Sequence, residues 1–262
     1  MTEKDISPLI EKAADLISNA KNPVVFTGAG VSTESGIPDF RSPGGIWDRF
    51  DQEDFYIDRF LQSERSRRLQ WQIFGEGLLS TKAAPNAAHH AIAELYRMGK
   101  LDCIITQNID NLHQKAGVPD DRVFELHGNM NRATCLSCGK KYSFDEIVAR
   151  LQAGEEIPDC PACGGILKPD IVMFGEQLPI DALEKAREHS LKSDVFLVIG
   201  STLVVYPAAY MPAYAVRSGA KLIIINLSET PMDQQAEILI RARAGETMPA
   251  ILERVKKNLG RD

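Results

Sequence analysis

The sequence predicts an α/β fold, a doubly wound and mostly parallel sheet carrying a smaller inserted module, on three observations. Short apolar runs recur at Val24-Val25-Phe26-Thr27, Cys103-Ile104-Ile105-Thr106, Val195-Phe196-Leu197-Val198-Ile199 and Leu222-Ile223-Ile224-Ile225. Their hydrophobicity is continuous rather than alternating, the pattern of strands covered on both faces. Stretches of helical character separate the runs, as parallel connections require. The third observation is a change of texture from 129 to about 168, where four cysteines, Gly139, Gly164 and Gly165, and Pro158 and Pro161 surround one helical stretch. A module of that kind has too small a core to stand without a metal.

Taken in order, Ile6, Leu9, Ile10, Ala13, Ala14, Leu16 and Ile17 have helical spacing, and Asn22-Pro23 ends that helix. The first strand runs directly into Gly28-Ala29-Gly30. Residues 38–80 carry few strand signals and are expected to add helices to the small lobe. Inside the cysteine-bearing module, residues 144–151 have helical character. The expected division is therefore 1–37, 81–128 and 169–262 for the large lobe, 38–80 for a helical module with a loop, and 129–168 for a metal-binding module.

The 262 residues are enough for a large domain with a small companion, and 44% hydrophobic with 25% charged is ordinary for a globular protein. Thirty Lys+Arg against 36 Asp+Glu leave a net charge of -6, which gives no global electrostatic reason to bind nucleic acid or an anionic membrane. The opening residues mix Glu3, Lys4, Asp5, Glu11, Lys12 and Asp15 with apolar ones and do not resemble a signal peptide. No run approaches the roughly 20 apolar residues of a membrane span. A cytoplasmic location is expected.

Four of the five cysteines form two CxxC turns, Cys135-Leu-Ser-Cys138 and Cys160-Pro-Ala-Cys163. Each turn aims two thiolates at one point, and two turns supply a closed tetrahedral set suited to zinc, with no coordination position left for chemistry. The fifth, Cys103, lies within an apolar strand and reads as a buried, inert thiol.

Gly28-Ala29-Gly30 after a strand suits a turn whose backbone approaches phosphates. The next glycine is Gly36, so the spacing differs from GxGxxG and equally fits a plain strand-to-helix turn. Residues 31–41 are polar and end in Phe40-Arg41, the parts of a loop that covers a nucleotide, or of an ordinary exposed loop. At the end of the second strand run, Gln107, Asn108, Ile109 and Asp110 fall at the crevice where parallel sheets bind ligands, although Asn and Asp also make turns. His127, between Leu126 and Gly128, is a candidate general base.

Together, Gly28-Ala29-Gly30-Val31-Ser32, Gly36-Ile37-Pro38-Asp39-Phe40-Arg41, Thr106-Gln107-Asn108-Ile109-Asp110, Leu126-His127-Gly128, the CxxC turns and Gly200-Ser201-Thr202-Leu203 resemble the sirtuins, NAD-dependent protein-lysine deacylases. The resemblance runs from about Asn22 to about Pro249 with motifs in family order. It implies a Rossmann-like large domain, a small domain made of a zinc ribbon and a helical module, and NAD and substrate between them. It implies that Gly28, Ala29, Gly30 and Thr33 touch NAD, that Phe40 and Arg41 belong to a cofactor-binding loop, and that Gln107, Asn108, Ile109 and Asp110 line the nicotinamide and ribose pocket. On the adenosine side it implies Gly200, Ser201, Thr202, Asn226, Leu227, Ser228 and Ala244. Val172-Met173-Phe174-Gly175-Glu176 would bind an extended peptide carrying an acetylated or otherwise acylated lysine.

His127 would be the general base on a ribose hydroxyl and Asn108 would orient water or ribose, giving free lysine, nicotinamide and O-acetyl-ADP-ribose. Relatives that remove succinyl or malonyl groups carry a Tyr-x-x-Arg pair in the helix before the Pro-Asn segment, where this chain reads Arg68-Leu69-Gln70-Trp71-Gln72-Ile73-Phe74. Trp71 and Phe74 stand nearest the expected places, and Tyr56-Ile57-Asp58-Arg59 lies too far upstream. Acetyl or longer neutral acyl groups are therefore expected, because a carboxylate without a partner is disfavoured in an apolar tunnel. Two other readings remain open: a mono-ADP-ribosyltransferase or NAD glycohydrolase on the same fold, and a zinc-ribbon nucleic-acid module fused to a nucleotide-binding domain. The net charge of -6 counts against the second, and no sequence-specific nucleic-acid partner is expected.

Overall fold

The structure is a computed structural model that describes residues 3–76 and 83–261, so the expected boundary at 80/81 lies outside the described residues. Among these residues the strands are β1 (Pro23–Thr27), β2 (Cys103–Thr106), β3 (Val123–Glu125), β4 (Gly128–Cys135), β5 (Lys141–Ser143), β6 (Leu167–Ile171), β7 (Val195–Ile199), β8 (Lys221–Ile225) and β9 (Ile238–Ile240). The helices are α1 (Glu3–Asn19), α2 (Ile57–Gln62), α3 (Glu64–Gly75), α4 (Ala87–Arg97), α5 (Leu112–Lys115), α6 (Phe144–Gln152), α7 (Ile180–Lys192), α8 (Tyr210–Arg217) and α9 (Ala244–Asn258).

Six strands form a parallel sheet in the order β3-β2-β1-β7-β8-β9. The chain order reverses between β1 and β7, so the crevice outside their carboxyl ends is where such a sheet takes a ligand. β1 and β7 are buried along their whole length, as their unbroken apolar runs require. α1, α4 and α9 cover one face through Ile17, Ile92, Met248 and Ile251, and α7 and α8 cover the other through Ala186, Met211 and Ala215.

The second sheet is antiparallel, in the order β5-β4-β6. It pairs Gly128 with Ile171, so it reaches past both expected boundaries, 128/129 and 168/169. α6 opens on a capping box between Ser143 and Glu146 and buries Phe144 and Ile147. Those two residues pack with Trp71 and Phe74 of α3, which joins the helical segment and the cysteine-bearing module in one core.

Two histidines are sealed beneath the large sheet's carboxyl edge. His113 Nε2 lies 2.9 Å from Thr27 Oγ1, and the His89 and His113 rings stand 5.0 Å apart. Loss of hydration lowers His113 to about 4 and His89 to about 3. The unfolded chain therefore takes up protons near pH 6.5 while the folded chain does not. Stability should be full above pH 6.5 and fall towards pH 4, by at most about 1.4 kcal/mol per pH unit for each histidine. Urea unfolding at pH 7.5, 6 and 5 should show this decline, and His113→Gln should make it shallower; equal slopes in the two proteins would contradict the assignment.

Candidate active site and metal centre

Three backbones meet at the centre of the large sheet. Gly28 N donates to Ile199 O at 3.1 Å and Gly30 N to Gly200 O at 2.9 Å. A Cβ at Gly28 would stand 2.8 Å from Gly200 O, and one at Gly30 would stand 2.8 Å from Gly200 Cα. Gly200 itself has φ +64°, and its Cβ would come within 2.3 Å of Val31 N. The absence of side chains here lets the turns after β1 and β7 close directly on each other at the crevice.

From this cradle a buried polar chain crosses the strand ends. Ser32 Oγ donates to Asp110 Oδ2 at 2.7 Å, and Asn108 Nδ2 donates to Ser32 Oγ at 3.1 Å. Asp110 Oδ1 accepts from Leu112 N at 3.0 Å, which fixes the carboxylate at the start of α5. Gln107 joins four segments: its N–H donates to Thr27 O at 3.0 Å, its Oε1 accepts from Ser201 Oγ at 3.0 Å, and its carbonyl faces His127 Nδ1 at 3.0 Å. Its Nε2 is buried and has no partner among the described residues.

A carbonyl only accepts, so the His127 proton sits on Nδ1 and the Nε2 lone pair is free. Loss of hydration lowers the His127 pKa, and the bond to Gln107 raises it in part. Its backbone is held as well, because Val172 N donates to His127 O at 2.9 Å.

The cleft in front of these groups is lined by Ala29, Phe40, Arg41, Gln107, Asn108, Ile109, Asp110, His127 and residues 172–176, all singled out by sequence. Gly28, Gly30, Thr33, Gly200, Ser201, Thr202, Asn226, Leu227, Ser228 and Ala244 stand outside that wall. They occupy the turns after β1, β7 and β8 and the start of α9. Asn226 turns its side chain onto Ser228 O at 2.9 Å, and Leu227 is 68% exposed.

Several wall residues escaped the sequence reading. Ser32 is buried polar, yet serine is too common to stand out. Trp47 packs on Phe40 and Phe55 with ring centroids 5.2 and 5.1 Å away, closing the loop over the cleft. Val205, Tyr206 and Pro207 face the cleft along with segment 172–176.

That segment is not open along its whole edge. Phe174 O accepts from Ile57 N at 2.9 Å and Phe174 N donates to Phe55 O at 3.1 Å, while Glu176 Oε2 accepts from Met173 N at 2.7 Å. Trp71 also needs correction: it is fully buried against Phe74 and Phe144, whereas Gln70, Ile73 and Phe74 present α3 to the cleft. Residues 70, 73 and 74 share one helix face, and Trp71 turns away to the lobe's core.

The four cysteine sulfurs lie within 4.8 Å of one another, with Cys135 and Cys163 Sγ 3.5 Å apart and Cys138 and Cys160 Sγ 3.7 Å apart. Sulfurs held about 2.3 Å from one zinc stand about 3.8 Å from each other, so the set fits a zinc ion. Tyr142 Oη lies 3.1 Å from Cys160 Sγ and can donate to its thiolate.

A sequence model described as the Sir2 family matches residues 28–207. The chain is 46% identical to NAD-dependent protein deacetylase 1 of Pyrobaculum aerophilum, over 94% of this chain and 95% of that one. It is also 46% identical to NAD-dependent protein deacylase 2 of Archaeoglobus fulgidus, over 95% and 96%. A Sir2 histidine-to-alanine variant solved with deacetylated p53 peptide and 3′-O-acetyl ADP ribose superposes with a TM-score of 0.87 at 40% identity, covering 96% of this chain and 98% of that chain.

The purified protein should carry about one zinc per chain, by metal analysis. Cys135→Ala should lose the metal and lower stability by well over the roughly 1 kcal/mol of an average substitution, with activity falling at least about tenfold. A zinc-free variant of wild-type activity would contradict a structural role for the metal.

Proposed function

The chain belongs to the Sir2 family, and we propose that its cleft makes it an NAD-dependent protein-lysine deacetylase that yields deacylated lysine, nicotinamide and O-acetyl-ADP-ribose. The observation that carries this reading is His127, whose Nδ1–H is tied to Gln107 O so that a bare Nε2 stands in the cleft. When bound, NAD supplies a ribose carbon that loses nicotinamide and a ribose hydroxyl able to receive the acyl group. His127 Nε2 accepts the proton of that hydroxyl. Asn108, held by Ser32, orients the ribose or a water, and the Gln107 and Asp110 side chains line the nicotinamide pocket.

In this reading the closed turns at Gly28, Ala29, Gly30 and Gly200 lie beside the phosphates, with Thr33 and Arg41 next to them. Ser201, Thr202, Asn226, Leu227, Ser228 and Ala244 form the adenosine side, and 172–176 the peptide edge. In this assignment 1–37, 81–128 and 169–262 make the NAD-binding lobe, 38–80 the helical module and loop, and 129–168 the zinc module.

Among the described residues no helix is long and apolar enough to cross a membrane. We place the protein in the cytoplasm, where a reducing medium keeps the four zinc thiolates from pairing as disulfides. The partners are acylated lysines in proteins; the net charge of -6 favours neither a membrane surface nor sequence-specific nucleic acid.

Purified protein should consume NAD only when an acetylated peptide is present, and His127→Ala should slow deacetylation by about 10²–10⁴-fold while still binding NAD. NAD consumption independent of peptide would sink the deacetylase reading. Because burial lowers the His127 pKa, its base form persists as pH falls through 6.5, and the downturn of kcat/KM should lie below that value. A downturn above pH 6.5 would take the base role away from His127.

A further inference from the structure

Gln70 is fixed in one sense by its neighbour. Its Nε2 donates to Asp54 O at 2.7 Å, and a backbone carbonyl can only accept, so the other amide atom is the oxygen. The residue is 1% exposed, lines the cleft beside Ile73 and Phe74, and its Oε1 has no hydrogen-bond partner among the described residues. A buried acceptor left unpaired is costly, and its retention in a cleft wall points to a donor brought by a ligand.

Ile73, Phe74, Ile109, Ile171 and Met173 give the cleft that Gln70 lines an apolar stretch of wall. His127 and Asn108 border the same cleft, so a lysine whose amide is placed before them lays its acyl chain along this wall. We propose that Gln70 Oε1 accepts a hydrogen bond from a hydroxyl on the acyl chain, which makes short hydroxyacyl-lysines preferred substrates over plain acyl-lysines of the same size. The assignment rests on the deacetylase reading and names its substrate class.

The chemistry separates close analogues. A hydroxyl donates to Oε1 and relieves it. A methyl group of similar size leaves Oε1 buried and unpaired, and a keto oxygen sets two acceptors against each other. A site that hydrogen-bonds a substrate hydroxyl discriminates more sharply than an apolar pocket discriminates by size.

The test uses the zinc-loaded enzyme, saturating NAD and one peptide sequence carrying acetyl, 3-hydroxybutyryl (each enantiomer), 3-methylbutyryl or 3-oxobutyryl lysine. Relative kcat/KM is read by competition in one tube. At least one hydroxybutyryl enantiomer should exceed both the methyl and the keto analogue by about fivefold, the worth of about one hydrogen bond. In Gln70→Met that ratio should collapse towards one. A wild-type ratio near one overturns the assignment whether or not the variant folds, and a ratio unchanged in Gln70→Met overturns it too. Turnover of acetyl without hydroxyl discrimination defeats this assignment alone, whereas no turnover of any peptide defeats the deacetylase reading and this one with it.

Discussion

The contact on which the molecule depends is backbone against backbone, Gly28 and Gly30 at the end of β1 against Gly200 at the end of β7. Two parallel strands at the point where chain order reverses send their loops apart, one to each side of the sheet. With side chains between them the turns would be pushed apart by more than the 2.3–2.9 Å approaches permit. Without side chains they close, and every neighbouring group is referred to this junction: Gln107 through Thr27 O, Ser201 through Gln107 Oε1, and Ser32 one turn beyond Gly30.

The polar groups built on that junction follow one rule. Partners inside the protein hold three of the cleft side chains by all but one of their polar atoms, and Asp110 by both of its oxygens. His127 is held through Nδ1, Gln107 through Oε1, N–H and carbonyl, and Gln70 through Nε2; His127 Nε2 is left free by that tautomer, and Gln107 Nε2 and Gln70 Oε1 are buried without a partner among the described residues. Such a site is rigid before the ligand arrives, so binding and chemistry lose little to reorganisation.

How much of this the sequence discloses depends on whether a residue's surroundings are local. The strands at 103–106 and 195–199 announce themselves because burial on both faces writes an unbroken apolar run, and the CxxC turns do so because a metal demands fixed ligand spacing. β9 carries only Ile238 to Ile240 and is too short to register. Gln70 and Trp71 are opaque for a different reason. They are adjacent in α3, a helix with one face to the cleft and another to α6, and only tertiary packing decides which face takes the aromatic ring. Val205, Tyr206 and Pro207 lie in irregular chain with no period to read.

The zinc site and the base are linked by a single strand. β4 starts at Gly128, next to His127, and ends at Cys135, a zinc ligand. β4 is bulged, and its partner β6 advances only four residues along the ladder, about 13 Å, while the closed sulfur shell leaves the metal no open position for a ligand. The metal acts through β4 and β6. Cys135 pairs with Leu167 at one end of that ladder, and at the other end Gly128 pairs with Ile171, just before Val172 N donates to His127 O. Gly128, at φ +71°, allows the close approach, since a Cβ there would stand 2.1 Å from Asp170 O. Loss of zinc frees the far end of a ladder whose near end sets the height of His127 above the cleft, and a displacement of about 1 Å is enough to cost a hundredfold in rate. A closed sulfur shell that takes no part in the reaction can for that reason be as necessary to it as the base itself.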